Sequence, residues 1–185
     1  FLEDINFAAG GGLYAEKICN RSFEYDNPLQ GWKTFGKVEV LDEGGPFDRN
    51  PHYVRLKYPG HPVVKCGLEN SGWFGIGLEA GAQYRVSFWA RTSGKTPTTG
   101  GDGFLCDPAT WDESQHLTTG EITVKGSKWA KYEVILTSPK TLQKAAFRVL
   151  WADGNPAAAA GIDHISLFPV DTFNGDENGL RKDLA

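Results

Sequence analysis

Period two governs this chain. In "HYVRLKY" (52–58) Val54 and Leu56 alternate with Tyr53, Arg55 and Lys57. In "QYRVSFWART" (83–92) Tyr84, Val86, Phe88 and Ala90 alternate with Arg85, Ser87, Trp89 and Arg91, and in "WAKYEVILT" (129–137) Tyr132, Val134 and Leu136 oppose Lys131 and Glu133. An apolar residue at every second position marks a strand with one buried side, whereas a helical face recurs every three to four residues. Shorter runs at 37–41, 63–67, 120–126, 144–152 and 161–168 are each bounded by Gly, Pro, Asn or Asp and read as further strands. With 23 Gly and 10 Pro for turns and 23 aromatic residues to fill a core, strands this short without intervening amphipathic helices predict an all-β, two-sheet antiparallel β-sandwich, a jelly roll.

The two ends differ from this middle. Residues 1–19 start apolar, pass a glycine cluster and read as a short helix over 13–19. "NGLRKDLA" (178–185) reads as the opening turns of a second helix, capped at Asn178 and carrying Leu180 and Leu184 on one face. A net charge of −4 without a basic run gives no footprint for nucleic acid, and no apolar run approaches the roughly 20 residues of a membrane helix. Neither partner is expected. Cys19, Cys66 and Cys106 lack zinc-site spacing and read as small buried hydrophobes.

The same two ends carry a resemblance. "FLEDINFAAGGGLYAEKICNRSFEY" resembles the opening of the α-L-arabinofuranosidases of glycoside hydrolase family 51, with F-x-E-D/E-I-N followed by G-G-L-Y-A-E and N-R-S-F-E. "DTFNGDENGLRKDLA" resembles the point where that family resumes. The family's catalytic domain is a (β/α)8 barrel, so the resemblance implies three parts. Residues 1–19 would be barrel strand one and its glycine turn, 20–169 an inserted module, and 170–185 a linker and the first turns of a barrel helix: flanking segments of an incomplete barrel around the sandwich. Within the module, "NRSFEY" followed by Gly31 and Trp32, and the closing "IDHISLF", resemble carbohydrate-binding modules of family 4, which are jelly rolls of galactose-binding-like type.

The resemblance implies a non-catalytic carbohydrate-binding role, with arabinan- or arabinoxylan-type plant glycan and the parent barrel in cis as partners. The alternative is a structural insert that packs on that barrel and binds no sugar. The two glutamates of the family's retaining mechanism fall on later barrel strands, so the chain alone is expected to be inactive and to need no cofactor. Polysaccharide substrates imply a secreted or periplasmic bacterial enzyme. In the parent, Glu3 would contact the bound arabinofuranose. Glu24 and Asp163 match the positions at which related modules hold a structural calcium, with a capped turn and a solvent-facing carboxylate as the plainer alternative.

Sugar faces are recognised by flat aromatic rings flanked by polar groups. Trp32 and Trp129 read as core residues. Trp89 alternates with the core and falls on the face of Arg85 and Arg91, and suitable strand pairing would add Tyr53, Arg55 and Arg148 to one glycan cleft. The bland alternative is that this face docks on the barrel. Trp73 and Trp111 are second-choice stacking residues. The acids of "CDPATWDESQH" (106–116) read as a solvated loop and not as an active site.

Overall fold

The structure is a computed structural model that describes residues 15–57, 66–93, 104–112, 115–120, 122–151, 159–175 and 179–182. Among the described residues twelve strands run in chain order: β1 (Trp32–Phe35), β2 (Lys37–Leu41), β3 (Tyr53–Lys57), β4 (Cys66–Asn70), β5 (Ile76–Leu78), β6 (Gln83–Ser93), β7 (Phe104–Asp112), β8 (Gln115–Thr119), β9 (Ile122–Val124), β10 (Ala130–Thr137), β11 (Leu142–Trp151) and β12 (Ala159–Pro169). They form two antiparallel sheets. One has the order β10-β6-β12-β3-β2; the other runs β1-β4-β11-β7-β8, with β5 on β11 and β9 on β7.

The expected alternation is the one that builds the core. Tyr84, Val86, Phe88 and Ala90 of β6, Val54 and Leu56 of β3, and Ile162, Ile165 and Leu167 of β12 face Leu68 of β4 and Ala145, Phe147 and Val149 of β11. Trp32 belongs to this core, tilted on Phe23 at 5.4 Å between ring centroids. Cys19 and Cys66 are buried free thiols, and burial pushes both up from the ordinary thiol value. The side chain of Cys106 lies outside the described residues.

Two local expectations fail. "CDPATWDESQH" is not a solvated loop: β7 occupies an interior place in its sheet, between β11 and the strands β8 and β9. Its pairing explains how it tolerates Pro108. The partners on one edge end at Cys106 opposite Ile122 and resume at Ala109 opposite Thr119, so the residue without an N–H sits in the gap. Nor is 13–19 helical over its described part. The Lys17 N–H goes to Leu167 O, Ile18 N–H to the Glu16 side chain and Cys19 N–H to Asn70 Oδ1, which leaves no donors for a helical ladder.

Residues 15–18 instead run along the end of β12, and Ile18 enters the core. Residues 179–182 contain no α-helical turn; the Gly179 carbonyl accepts from Ala15 and the Leu180 carbonyl from Phe173. Asn178 and 183–185, like Glu3, lie outside the described residues.

Candidate functional site

Each sheet has an outer face, and directly opposed residues on antiparallel strands share a face. On β6 the outward set is Arg85, Ser87, Trp89 and Arg91, as the alternation predicts. Register places Trp89 opposite Asp163, and Gly161 between Arg91 and Arg55. Trp89, Arg91, Tyr53 and Arg55 therefore do share one surface.

That surface is not an open platform, because the chain covers it. The loop between β2 and β3 sets the Phe47 ring against Trp89 (5.1 Å, edge-on) and against His164 (4.6 Å). Trp129 donates its indole N–H to Gly44 O at 2.8 Å, meets Tyr53 edge-on at 5.2 Å and underlies the Arg91 guanidinium at 4.7 Å. Gly161 makes room for it: a Cβ there would stand 2.8 Å from the Trp129 ring. Trp129 is thus a lid residue on the outside of the sheet and not the core residue expected. Arg55 is held by Glu39 through two bonds, at 3.1 and 2.7 Å; the bond from Lys57 first, and then those from Arg55, keep the Glu39 carboxyl below its ordinary value.

Arg148 is not on this surface. It lies on β11, in the other sheet, where the described residues pair β11 with β4, β5 and β7. There it stands in a row running Lys33–Glu69–Arg148 and continuing in register to Ala109 and Thr119. Glu69 accepts from Lys33 Nζ at 3.0 Å and from Arg148 Nε, and the Arg148 guanidinium covers the Phe35 ring at 5.3 Å. Burial pushes the Glu69 carboxyl up, but the bonds from Lys33 and Arg148 outweigh it and leave it below its ordinary value. Lys33 is exposed while the Glu69 side chain is 7% exposed, so the row runs from a solvated cation to a shielded ion pair beside an aromatic ring.

Trp111 is opposite Ala146, two residues along β11 from Arg148; its side chain lies outside the described residues. Trp73 is half-buried in the turn after β4, with its indole N–H shielded and without an acceptor among the described residues. Sequence reasoning missed Lys33, Phe35 and Glu69. The available signal was an acid directly after Leu68 in the short run "CGLEN", which folding must match with cations if the run is buried.

The two carboxylates matched to a calcium position lie near each other. Asp163 is fully buried; burial pushes its carboxyl up, His164 pulls it down, and the neighbouring Glu24 charge pushes it further up. Glu24 binds the His52 N–H and ring at 2.9 and 2.6 Å, and Asp163 binds the His164 N–H and ring at 2.6 and 2.9 Å. Among the described residues no group of three or more His, Cys, Asp or Glu side chains converges.

Comparison with known proteins agrees with this architecture. The model of a family described as "Carbohydrate binding domain" matches residues 15–154. An extracellular exo-α-L-arabinofuranosidase of Streptomyces chartreusis is 39% identical over 194 aligned positions, which cover 100% of this chain and 21% of that protein. This chain thus spans about a fifth of that relative's length. An arabinose-bound family 51 α-L-arabinofuranosidase structure superposes with a TM-score of 0.84 at 24% identity, covering 99% of this chain and 31% of its own. A family 16 carbohydrate binding module superposes with a TM-score of 0.57 at 17% identity, over 82% of this chain and 98% of the module.

Proposed function

The chain belongs to the carbohydrate binding domain family, and from that premise we propose that it is the glycan-binding module of a longer α-L-arabinofuranosidase. The observation that carries this reading is the Lys33–Glu69–Arg148 row with Phe35 beside it. Cationic donors held in place next to a ring are what a sugar's hydroxyl oxygens and its apolar face require. The pairing also fixes the side chains: Glu69 anchors Arg148 over Phe35, so little rotamer freedom remains to be lost when sugar binds. Trp111, by its register position, is the accompanying stacking candidate. The face carrying Trp89 serves the fold and is assigned no sugar.

In this reading the parent releases terminal arabinofuranosyl groups from arabinan or arabinoxylan outside the cell. It uses two carboxyls about 5 Å apart in a double displacement, and the module holds the polymer near that chemistry. Glu3, in the parent, contacts the arabinofuranose. The purified 185-residue chain should bind glycan and release no arabinose.

Calcium is part of the proposal. A buried carboxyl pushed up by its own burial and by a second carboxylate fits a hard divalent cation, with Glu24 and Asp163 supplying two oxygen ligands and backbone carbonyls the remainder. The ion would hold the start of the module against β12.

The reading is tested by titrating the chain with arabinan and arabinoxylan oligosaccharides, by calorimetry and by chemical-shift mapping. Saturable binding that perturbs Lys33, Phe35, Glu69 and Arg148 and is lost in Arg148→Ala is the expected result. No binding across a broad plant-glycan panel would leave the structural insert as the function.

A further inference from the structure

We propose that the end of the sandwich where residues 15–18 and 169–182 meet is the surface on which the catalytic domain of the same polypeptide docks, with Phe74 as its apolar anchor. The proposal rests on reading the chain as a module of a longer α-L-arabinofuranosidase. Its own support is where the incoming and outgoing segments lie. Ala15 N–H donates to Gly179 O and Lys17 N–H to Leu167 O, so both segments leave the module side by side. Glu16 clasps them: it accepts from Leu167 N–H at 3.0 Å and from the Ser166 hydroxyl at 2.6 Å. The two described segments therefore meet at this one end of the module.

The same end bears the apolar surface. Among the described residues the exposed large hydrophobics are Phe74, Ile135, Phe173 and Leu180, and all but Ile135 belong here. Phe74 lines an open groove with Lys17, Asp171, Arg181 and Lys182, while Phe173 and Leu180 sit beside the lining residues and are joined by the Phe173 N–H bond to Leu180 O. Single exposed apolar side chains need no explanation, but three at one end, beside both connections to a larger body, do.

Nor is Phe74 on a slack loop. Gly72 N–H binds Asn70 Oδ1 at 2.8 Å and Gly75 N–H binds Ser71 O at 2.9 Å. Gly72 (φ +65°) and Gly75 (φ +106°) take left-handed conformations that a side chain rarely adopts. This fixed turn holds Phe74 in water at 82% exposure, an arrangement that limits the ordering cost when a partner covers it.

The charged rim of Lys17, Arg181 and Lys182 against Glu79 and Asp171 carries both signs, as a surface meeting protein does, and lacks the single-sign field that would select a polyanion.

Hydroxyl-radical footprinting of the full-length polypeptide beside the 185-residue chain tests this. Phe74, Phe173 and Leu180 should lose most of their labelling in the full-length protein, while Phe35 should label equally in both. Equal labelling of Phe74 in the two would overturn the docking surface and leave glycan binding untouched. Protection of Phe35 in its place would overturn both, because the barrel would then occupy the sugar face. Phe74→Asp supplies a second measurement: it should leave the melting of the short chain unchanged and lower that of the full-length protein, and an unchanged full-length melt would also count against the proposal.

Discussion

The carboxylate of Glu16 accepts the backbone N–H of Leu167 at 3.0 Å, across 151 positions of sequence. The same side chain takes the N–H groups of Lys17 and Ile18 and the Ser166 hydroxyl, so one acid satisfies donors from both ends of the module. Glu16→Ala takes the side-chain acceptor from Ile18 N–H, Leu167 N–H and the Ser166 hydroxyl, while Lys17 N–H keeps Leu167 O, and the expected loss is about 2 to 4 kcal/mol, read by urea unfolding.

Glu16 also gives a pH dependence of defined sign. Burial pushes its carboxyl up from 4.5, and the bonds from Ser166, Leu167 and Ile18 only partly offset that. The folded state then binds the proton more tightly than the unfolded chain, so this contribution is complete below the unfolded value and is lost as pH rises through the folded one. Glu69 runs the other way: net lowered, it stabilises above 4.5 and loses that as pH falls through its folded value. Glu16→Gln should remove the fall of stability on the high-pH side, and Glu69→Gln the fall on the acid side, in melts collected from pH 3 to 8.

Arg148→Ala separates sugar binding from fold on the opposite sheet. The variant loses the guanidinium over Phe35 and leaves Glu69 with Lys33, whose exposed ammonium is a weaker partner. Affinity for arabinoxylan fragments should fall about tenfold or more, with a stability cost of about 1 to 3 kcal/mol. Calorimetry on a variant checked by its far-UV spectrum decides it.

The sandwich was legible in the sequence because half-buried strands write their geometry as alternation. β3, β6 and β10 were readable nearly to their ends. β7 was not, since a strand interrupted by Pro108 with Asp107 beside it shows no clear period, and its place depends on partners on both sides. β1 and β5 are too short to show one. The candidate site divided for a related reason. Alternation told which face of its own strand Trp89 takes, but not that a loop ending at β3 would cover it. Nothing local to "AAFRVLW" says that β11 joins the sheet without β6. Pairing is a property of two segments, and a single strand does not record it.

Calcium removal tests the pair at the start of the module. Asp163 is fully buried with Glu24 as its charged neighbour. An ion bound only by the folded state adds about 2.7 kcal/mol at a hundredfold excess over its dissociation constant. Adding calcium after EDTA treatment should therefore raise the melting temperature, and Asp163→Asn should abolish the rise. A melt indifferent to calcium would assign the pair to its two histidines alone.

Trp89→Ala and Gly161→Val complete the separation of the two faces, because the same residues would be binding groups if the covered face were the glycan cleft. Trp89 packs edge-on with Phe47, and Gly161 leaves the space that Trp129 fills between Gly44 and Tyr53. Truncating Trp89 removes that contact. Adding a branched side chain at Gly161 drives Trp129 off the sheet and breaks its bond to Gly44. Each should cost about 1 to 3 kcal/mol of stability, and Gly161→Val should also shift tryptophan emission to the red. Glycan affinity should stay unchanged in both, since Lys33, Glu69 and Arg148 lie on the other sheet. Loss of binding in Trp89→Ala with the melt unchanged would return the cleft to the face of Arg85, Arg91 and Tyr53. The loop carrying Phe47 would then have to lift away for sugar to enter.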